Sequence, residues 1–227
     1  ELTADLSLDE VNLRLARHLP ALELDHMSGR IGARFAQGRV SVDGQRVELV
    51  TRRLHGESYA PLENIHIEPT DFHVDWQRPA EGSSVRGSLT ASTLELAALA
   101  GLAAYLPLDA GSRQLLNDYA PRGQVSELRA SFQGDAEGLQ SYALKSSFHD
   151  LALRPRDHMP GISGFSGSLD ASEQGGTVQF RSQKVGIEFP DVLPESEIAL
   201  ETLTAQARWK LSKGRLDAEL LRAEFAG

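Results

Sequence analysis

The residues best equipped for chemistry are seven histidines: His18, His26, His55, His66, His73, His149 and His158. None stands in an HExxH motif or at a paired helical spacing that would grip zinc. Asp71, His73 and Asp75 come nearest to a ligand set, because alternate residues of a strand share a face. A solvated strand face carries the same alternation, so no metal ligand is assigned. Two serines precede glycines, in Gly161-Ile162-Ser163-Gly164 and Gly164-Phe165-Ser166-Gly167. Both miss the last position of the GxSxG elbow, and glycines at this spacing suit turns or a bulge. A P-loop and GxGxxG are absent, which leaves nucleotide phosphates without a cradle. Carboxylates are abundant but fall on polar faces or in turns, where they solvate. Cysteine is absent, which removes disulfides, thiolate catalysis and cysteine-held metals. The expectation is a protein without catalytic residues, metal or cofactor.

The totals narrow the partners. The chain has 227 residues and a formal net charge of −9, with a pI near 5.3. That balance opposes a nucleic-acid backbone, which attracts a basic stripe. No polybasic cluster is present to hold anionic lipid. The chain opens on Glu1 in a strand-like pattern, without a signal or anchor segment, and Leu216 to Phe225 are still patterned at the other end. A segment of a longer protein is expected.

The elements that would position any site are mostly strands. Leu2, Ala4, Leu6 and Leu8 alternate with polar residues, Asp9-Glu10 reads as a turn, and Val11, Leu13 and Leu15 follow. A short amphipathic helix from Asp9 to His18 is the alternative. Asp43-Gly44 signals a hairpin, Pro69 splits Asn64 to Trp76 into two short strands, and Glu81-Gly82 turns. Phe72, Val74 and Trp76 share one strand face, as do Leu128, Ala130 and Phe132. Leu144, Phe148, Val178 and Phe180 continue the pattern, with Gly175-Gly176 as a hairpin turn. Ile187 and Phe189 form a short strand before Pro190 and Pro194. Leu203, Ala205, Ala207, Trp209 and Leu211 alternate most cleanly, and Lys213-Gly214 turns the chain into Leu216, Ala218 and Leu220.

One stretch is helical. Leu94 to Leu106 is apolar nearly all round, Ser92 and Glu95 fit a capping box, and Pro107 ends the run. A second short helix is expected from about Ala110 to Tyr119, capped by Asp109 or Ser112 and closed at Pro121. An all-round apolar helix must be covered, by a protein core or by lipid at one end of an apolar channel. It is too short to span a bilayer. The remainder predicts a mainly β, antiparallel fold with one wet face. A sandwich or closed barrel, or an open curved sheet, would satisfy it. Asp25-His26-Met27 and Asp157-His158-Met159, each followed by glycines at matching offsets, hint at a repeat.

The order of several segments is similar to a known family. Leu94-Glu-Leu-Ala-Ala-Leu-Ala, Leu106-Pro-Leu, Arg113-Gln-Leu-Leu and Pro121-Arg-Gly-Gln-Val-Ser-Glu-Leu128 resemble the YhdP branch of the AsmA-like proteins of Gram-negative bacteria. Leu22-Glu-Leu and Ser28-Gly-Arg-Ile-Gly32 fit upstream. Tyr142 to Leu153, Met159 to Leu169, Gly175-Gly-Thr-Val178 and Phe189-Pro-Asp-Val192 follow in the same order. The likeness rests on order and spacing over most of the chain, since none of these segments is a catalytic signature.

The resemblance implies a repeating β-groove: a curved, open antiparallel sheet with one or two short helices near the middle, a β-sandwich being the alternative. It divides the chain into a first β-groove segment (1–91), a helical insertion (92–123) and a second segment (124–227). It further implies a periplasmic stretch, tethered to the inner membrane elsewhere, that conducts phospholipid acyl chains and joins neighbouring repeats. A sixteen-carbon tail gains roughly 12 kcal/mol on an apolar wall, at about 0.8 kcal/mol per CH₂. The candidate groove residues are Phe72, Val74, Trp76, Leu99, Leu128, Ala130, Phe132, Leu144, Phe148, Val178, Phe180, Leu203, Ala205, Ala207, Trp209, Leu211, Leu216, Ala218 and Leu220. Small ones such as Ala130, Ala205, Ala207 and Ala218 would leave room for a tail, and Leu94 to Leu106 would cap or line the groove. The competing reading is an envelope module with a closed core and no lipid path.

Overall fold

The computed structural model describes residues 1–36, 38–52, 64–77, 84–106, 108–135, 138–156, 159–189, 197–212 and 214–227. They form β1 (Leu2–Leu13), β2 (Leu22–Ala36), β3 (Arg39–Thr51), β4 (His66–Gln77), β5 (Val85–Glu95), α1 (Leu96–Leu102), α2 (Ala110–Tyr119), β6 (Arg122–Asp135), β7 (Gly138–Leu153), β8 (Gly161–Ser172), β9 (Gly175–Glu188), β10 (Glu197–Ser212) and β11 (Arg215–Ala226). The strands make a single 11-stranded sheet in chain order. Every pairing is antiparallel, and β5 pairs with β6 across the helical insertion. The sheet is curved and open, with β1 and β11 at its edges. The β-sandwich alternative is therefore corrected, since the described strands make one layer.

Period-2 alternation explains the sheet's two faces. Cross-strand pairing links Leu2, Ala33, Val42, Val74, Leu89, Ala130, Leu144, Ala171, Gly176, Trp209 and Ala218 into one unbroken apolar row across the sheet. One residue further along each strand, Thr3, Gly32, Asp43, His73, Thr90, Arg129, Lys145, Asp170, Thr177, Arg208 and Glu219 form the matching row on the opposite face.

Several strands break this alternation at one place and survive it. Glu10, Arg46, Glu127, Asp150 and Lys184 have φ between 47° and 54°. Each is exposed, and each lies between two residues of the apolar face that are three apart. These pairs are Leu8/Val11, Gly44/Val47, Val125/Leu128, Phe148/Leu151 and Ser182/Val185. The left-handed residue absorbs the extra position, as a β-bulge does, and bulges bend a strand and increase its twist. At three of them a glycine on the preceding strand admits the bulge. A Cβ at Gly29, Gly123 or Gly164 would lie 2.8, 2.5 and 2.5 Å from the carbonyl oxygens of Arg46, Asp150 and Lys184. Side chains satisfy the displaced amides. Arg46 N–H donates to Asp71 Oδ1 (2.7 Å), Asp71 N–H to Ser92 Oγ (2.9 Å), and Asp150 N–H to Ser166 Oγ (3.1 Å).

These bulges correct several local expectations. Asp9-Glu10 does not turn, and no helix forms at Asp9 to His18; β1 runs through to Leu13. Asp43-Gly44 is no hairpin but the middle of β3. Pro69 does not split β4, because the register slips by one residue between Thr70 and Ile67 and a bulge can spare an N–H. Gly175 and Gly176 open β9 rather than forming the turn, which is at Glu173-Gln174. The capping box also fails. Glu95 is the N-cap of α1 without a side-chain bond, and its carboxylate instead accepts from Gln124 Nε2 at 2.8 Å. Ser92 is spent on the β4 bulge.

The second helix forms as expected. Asp109 caps α2 by accepting from Ser112 N–H at 2.9 Å, and Ala120 ends it in the left-handed conformation ahead of Pro121. The expected roles of Pro107, Glu81-Gly82, Pro190, Pro194 and Lys213 fall outside the described residues. So do Asp157 and His158 of the suspected repeat; its first copy lies within β2 and Met159 ahead of β8.

Candidate functional site

Two apolar clusters occupy the apolar face. The first gathers Leu22 and Leu24 of β2, Ile65, and Ala98 and Leu102 of α1, with Leu13, Met27, Leu49, Ile67, Tyr105 and Leu106 against them. Helix α1 thus folds back from β5 over the start of the sheet. A Cβ on its Gly101 would come within 2.5 Å of Ile65 Cδ1, a measure of how closely the helix sits. Leu99, the helical candidate, is half-buried, while the fully covered positions of α1 are Ala98 and Leu102. The second cluster centres on Phe148, Phe165 and Val185, joined by Val125, Leu151, Val178, Phe180, Leu200 and Leu203. Phe180 meets Phe148 and Phe165 edge-on at 6.0 and 5.4 Å.

Away from these clusters the apolar face is left open. Leu2 is 70% exposed, Trp76 39%, Phe132 41%, Leu211 45%, Leu216 62% and Leu220 64%. Most of the unbroken apolar row is half-buried rather than covered. All the strand candidates share this face. Phe72, Val74, Trp76, Leu128, Ala130, Phe132 and Leu144 occupy it on β4, β6 and β7, and Phe148, Val178 and Phe180 on β7 and β9. Leu203, Ala205, Ala207, Trp209, Leu211, Leu216, Ala218 and Leu220 occupy it on β10 and β11. The groove candidates leave out Leu24, Leu89, Ala171 and Val185, although Leu89 is legible in the alternation of Val85, Leu89 and Ala91 with Arg86, Ser88 and Thr90. Val185 follows a bulge, so simple alternation from Phe180 assigns it to the wrong face.

The opposite face is a lattice of ion pairs between neighbouring strands. Arg30 Nε meets Asp5 Oδ1 at 2.6 Å, Arg39 Nε meets Asp75 Oδ2 at 2.7 Å, and Arg208 Nη2 meets Glu219 Oε2 at 2.6 Å. The hydrogen bond from Arg30 holds the Asp5 carboxyl below its ordinary range. The suspected ligand set is dispersed among β3 partners. Asp71 takes the Arg46 amide, His73 Nδ1 lies 2.6 Å from Asp43 Oδ1, and Asp75 takes Arg39. Among the described residues no three His, Asp or Glu side chains converge as a metal site. A shallow depression of about 710 Å³ follows the bulges beside Arg46, Asp71, Ser92 and Glu127. Its lining mixes those charged and hydroxyl groups with Phe72, Ala91 and Leu128 of the apolar face.

A one-layer antiparallel sheet, bent by repeated bulges and greasy on one side only, is the architecture of a β-groove segment. The chain belongs to the YhdP protein family, whose model matches residues 1–225. No curated protein and no solved structure matches it. Family membership points to an envelope protein related to lipid transport. No helix among the described residues is long and apolar enough to cross a membrane.

Proposed function

We propose that this chain is a non-catalytic segment of a periplasmic, bridge-like protein whose apolar face binds phospholipid acyl chains and conducts them between the inner and outer membranes. One observation carries the reading: a row of apolar residues runs across all 11 strands, and no second sheet among the described residues covers it. At about 4.8 Å per strand that row is roughly 48 Å long, longer than one acyl tail and continuous for a sliding one. An exposed apolar surface of this extent on a soluble chain marks a binding surface. The ion-paired opposite face keeps the outside in water, as the net charge of −9 does for the whole chain. The edge strands β1 and β11, each with one strand neighbour among the described residues, suit continuation by neighbouring repeats of a longer chain, with the membrane tether in a region outside this one.

Purified chain, extracted and analysed by mass spectrometry, is expected to release phospholipid in near-stoichiometric amount. Absence of lipid from folded protein would leave the other reading, an envelope module with a closed core. That reading draws on the first cluster, where α1 seals Leu22, Leu24 and Ile65.

A further inference from the structure

Glycines of the apolar face are paired across strands with its aromatic residues. Gly44 pairs with Phe72, Gly87 with both Trp76 and Phe132, Gly167 with Phe148 and Phe180, and Gly176 with Trp209. At Gly44, Gly87 and Gly176 the rings use the space a side chain would take. A Cβ on Gly44 would lie 2.3, 2.6 and 2.7 Å from Cε1, Cζ and Cδ1 of Phe72. On Gly87 it would lie 2.3 Å from Phe132 Cζ, and on Gly176 2.6 Å from Trp209 Cζ2. The far end of each ring therefore covers the neighbouring strand, and the ring leans along the sheet instead of standing off it.

We infer that Gly44, Gly87 and Gly176 are seats that hold these rings down and so set the clear height of the acyl track. The inference rests on the lipid reading above. Packed sheets are about 10 Å apart, so an upright side chain fills roughly half that depth, which is comparable to the thickness of a hydrocarbon chain. A ring raised by a Cβ would stand where a tail should pass. The glycines thus act through the rings as positioning residues, and the ligand they select for is a flexible, unbranched hydrocarbon.

Gly44 is the cleanest probe, because the nearest atoms to its added Cβ all belong to Phe72; at Gly176 the Asp170 carbonyl oxygen also intrudes, at 2.5 Å. In the whole chain, Gly44→Ala is expected to lower co-purified phospholipid several-fold, and Gly44→Ala with Phe72→Leu to restore it. NMR reads the seat itself without lipid. A ring over Gly44 moves its Hα resonances upfield, and Phe72→Leu should return them to the ordinary glycine range. Ordinary Gly44 shifts in the unsubstituted chain would overturn the seat. A folded Gly44→Ala chain with unchanged lipid content would overturn its role in the track. Should Gly44→Ala fail to fold, Gly87→Ala with and without Phe132→Leu gives the same decision. A lipid-free unsubstituted chain defeats the transport reading itself, and the Gly44 shift tells that failure from a failure of the seat.

Discussion

Ser182 Oγ accepts the backbone N–H of Ser166 at 2.9 Å and donates to the carbonyl oxygen of the same residue at 3.0 Å. One hydroxyl on β9 thereby replaces the two ladder bonds that the register slip between β8 and β9 withholds. Ser182 is 5% exposed, so water is a poor substitute. Ser182→Ala should leave two backbone groups unpaired at a cost of about 1–3 kcal/mol. That corresponds to a fall in Tm of about 2–12 °C for a chain of this size. Ser131→Ala, on an exposed stretch of the polar face, should shift stability by less than about 0.5 kcal/mol. Equal melting of the two variants would show that the bulge needs no repair.

The bulge itself is testable through its backbone. Lys184 has φ of 54°, and the opposing Gly164 has φ of 72° with the Lys184 carbonyl oxygen 2.5 Å from where a Cβ would be. A left-handed non-glycine residue costs about 1–2 kcal/mol. Lys184→Gly is therefore expected to be neutral or mildly stabilising, and Gly164→Ala to destabilise by about 2 kcal/mol or more. Urea melts of the two variants check the opposite signs. A stable Gly164→Ala chain would mean the bulge does not need close approach of the two strands.

The bulges also set the limit of what could be read from residues alone. Alternation identified the strands and one apolar face, because a one-layer sheet keeps period 2 wherever the register is regular, as in β10 against β9 from Leu203 to Trp209. It failed at Asp9-Glu10, where two charged residues between apolar ones looked like a turn. A spacing of three across two polar residues recurs from Phe148 to Leu151 and from Ser182 to Val185, and was the available signal. Asp43-Gly44 misled for a different reason. Its glycine is needed to admit the Phe72 ring, a demand set by the next strand and invisible in local sequence. The candidate face was legible for the same reason as the strands. That the apolar helix is covered was legible too, but the choice of Ala98 and Leu102 as its buried positions was not, since it depends on where α1 folds back.

That placement of α1 separates neighbouring leucines. Leu102 is 4% exposed and packs in the cluster with Leu24 and Ile65, whereas Leu99 is half-buried. Leu102→Ala is expected to cost about 2–4 kcal/mol, as a cavity in a formed core does. Leu99→Ala should cost clearly less, and Leu99→Asp should lower either lipid content or stability. Thermal melts with lipid analysis compare the three. Full tolerance of both Leu102→Ala and Leu99→Asp would place α1 away from the sheet.

Asp109 gives a pH dependence with a defined sign. Hydrogen bonds from the Ser112 hydroxyl and amide hold its carboxyl below the ordinary value of 3.8. A lowered folded-state pKa means that the cap's contribution is complete above the ordinary aspartate value and is lost as pH falls through the lowered one. Amide exchange at Ser112 and Arg113 should accelerate over that acid range, and Asp109→Asn should flatten the dependence. An Asp109 carboxyl carbon that titrates at or above the ordinary value would contradict the cap.

Ala207 tests the face as a lipid track. It lies half-buried between Val178 and Leu220 on the apolar side of β10, where the strand is held by neighbours on both edges. Ala207→Asp places a carboxylate against any bound tail. If that costs even roughly 2 kcal/mol, affinity falls about thirty-fold. Thr204→Asp adds the same charge to the opposite face of the same strand, opposite Arg181, and should leave lipid content unchanged. Both chains should remain folded, because the apolar side at Ala207 is open to solvent. Mass spectrometry of lipid from the two variants decides the point. Equal lipid content would mean that tails do not run along this face, whereas loss confined to Ala207→Asp would tie the lipid to one side of the sheet.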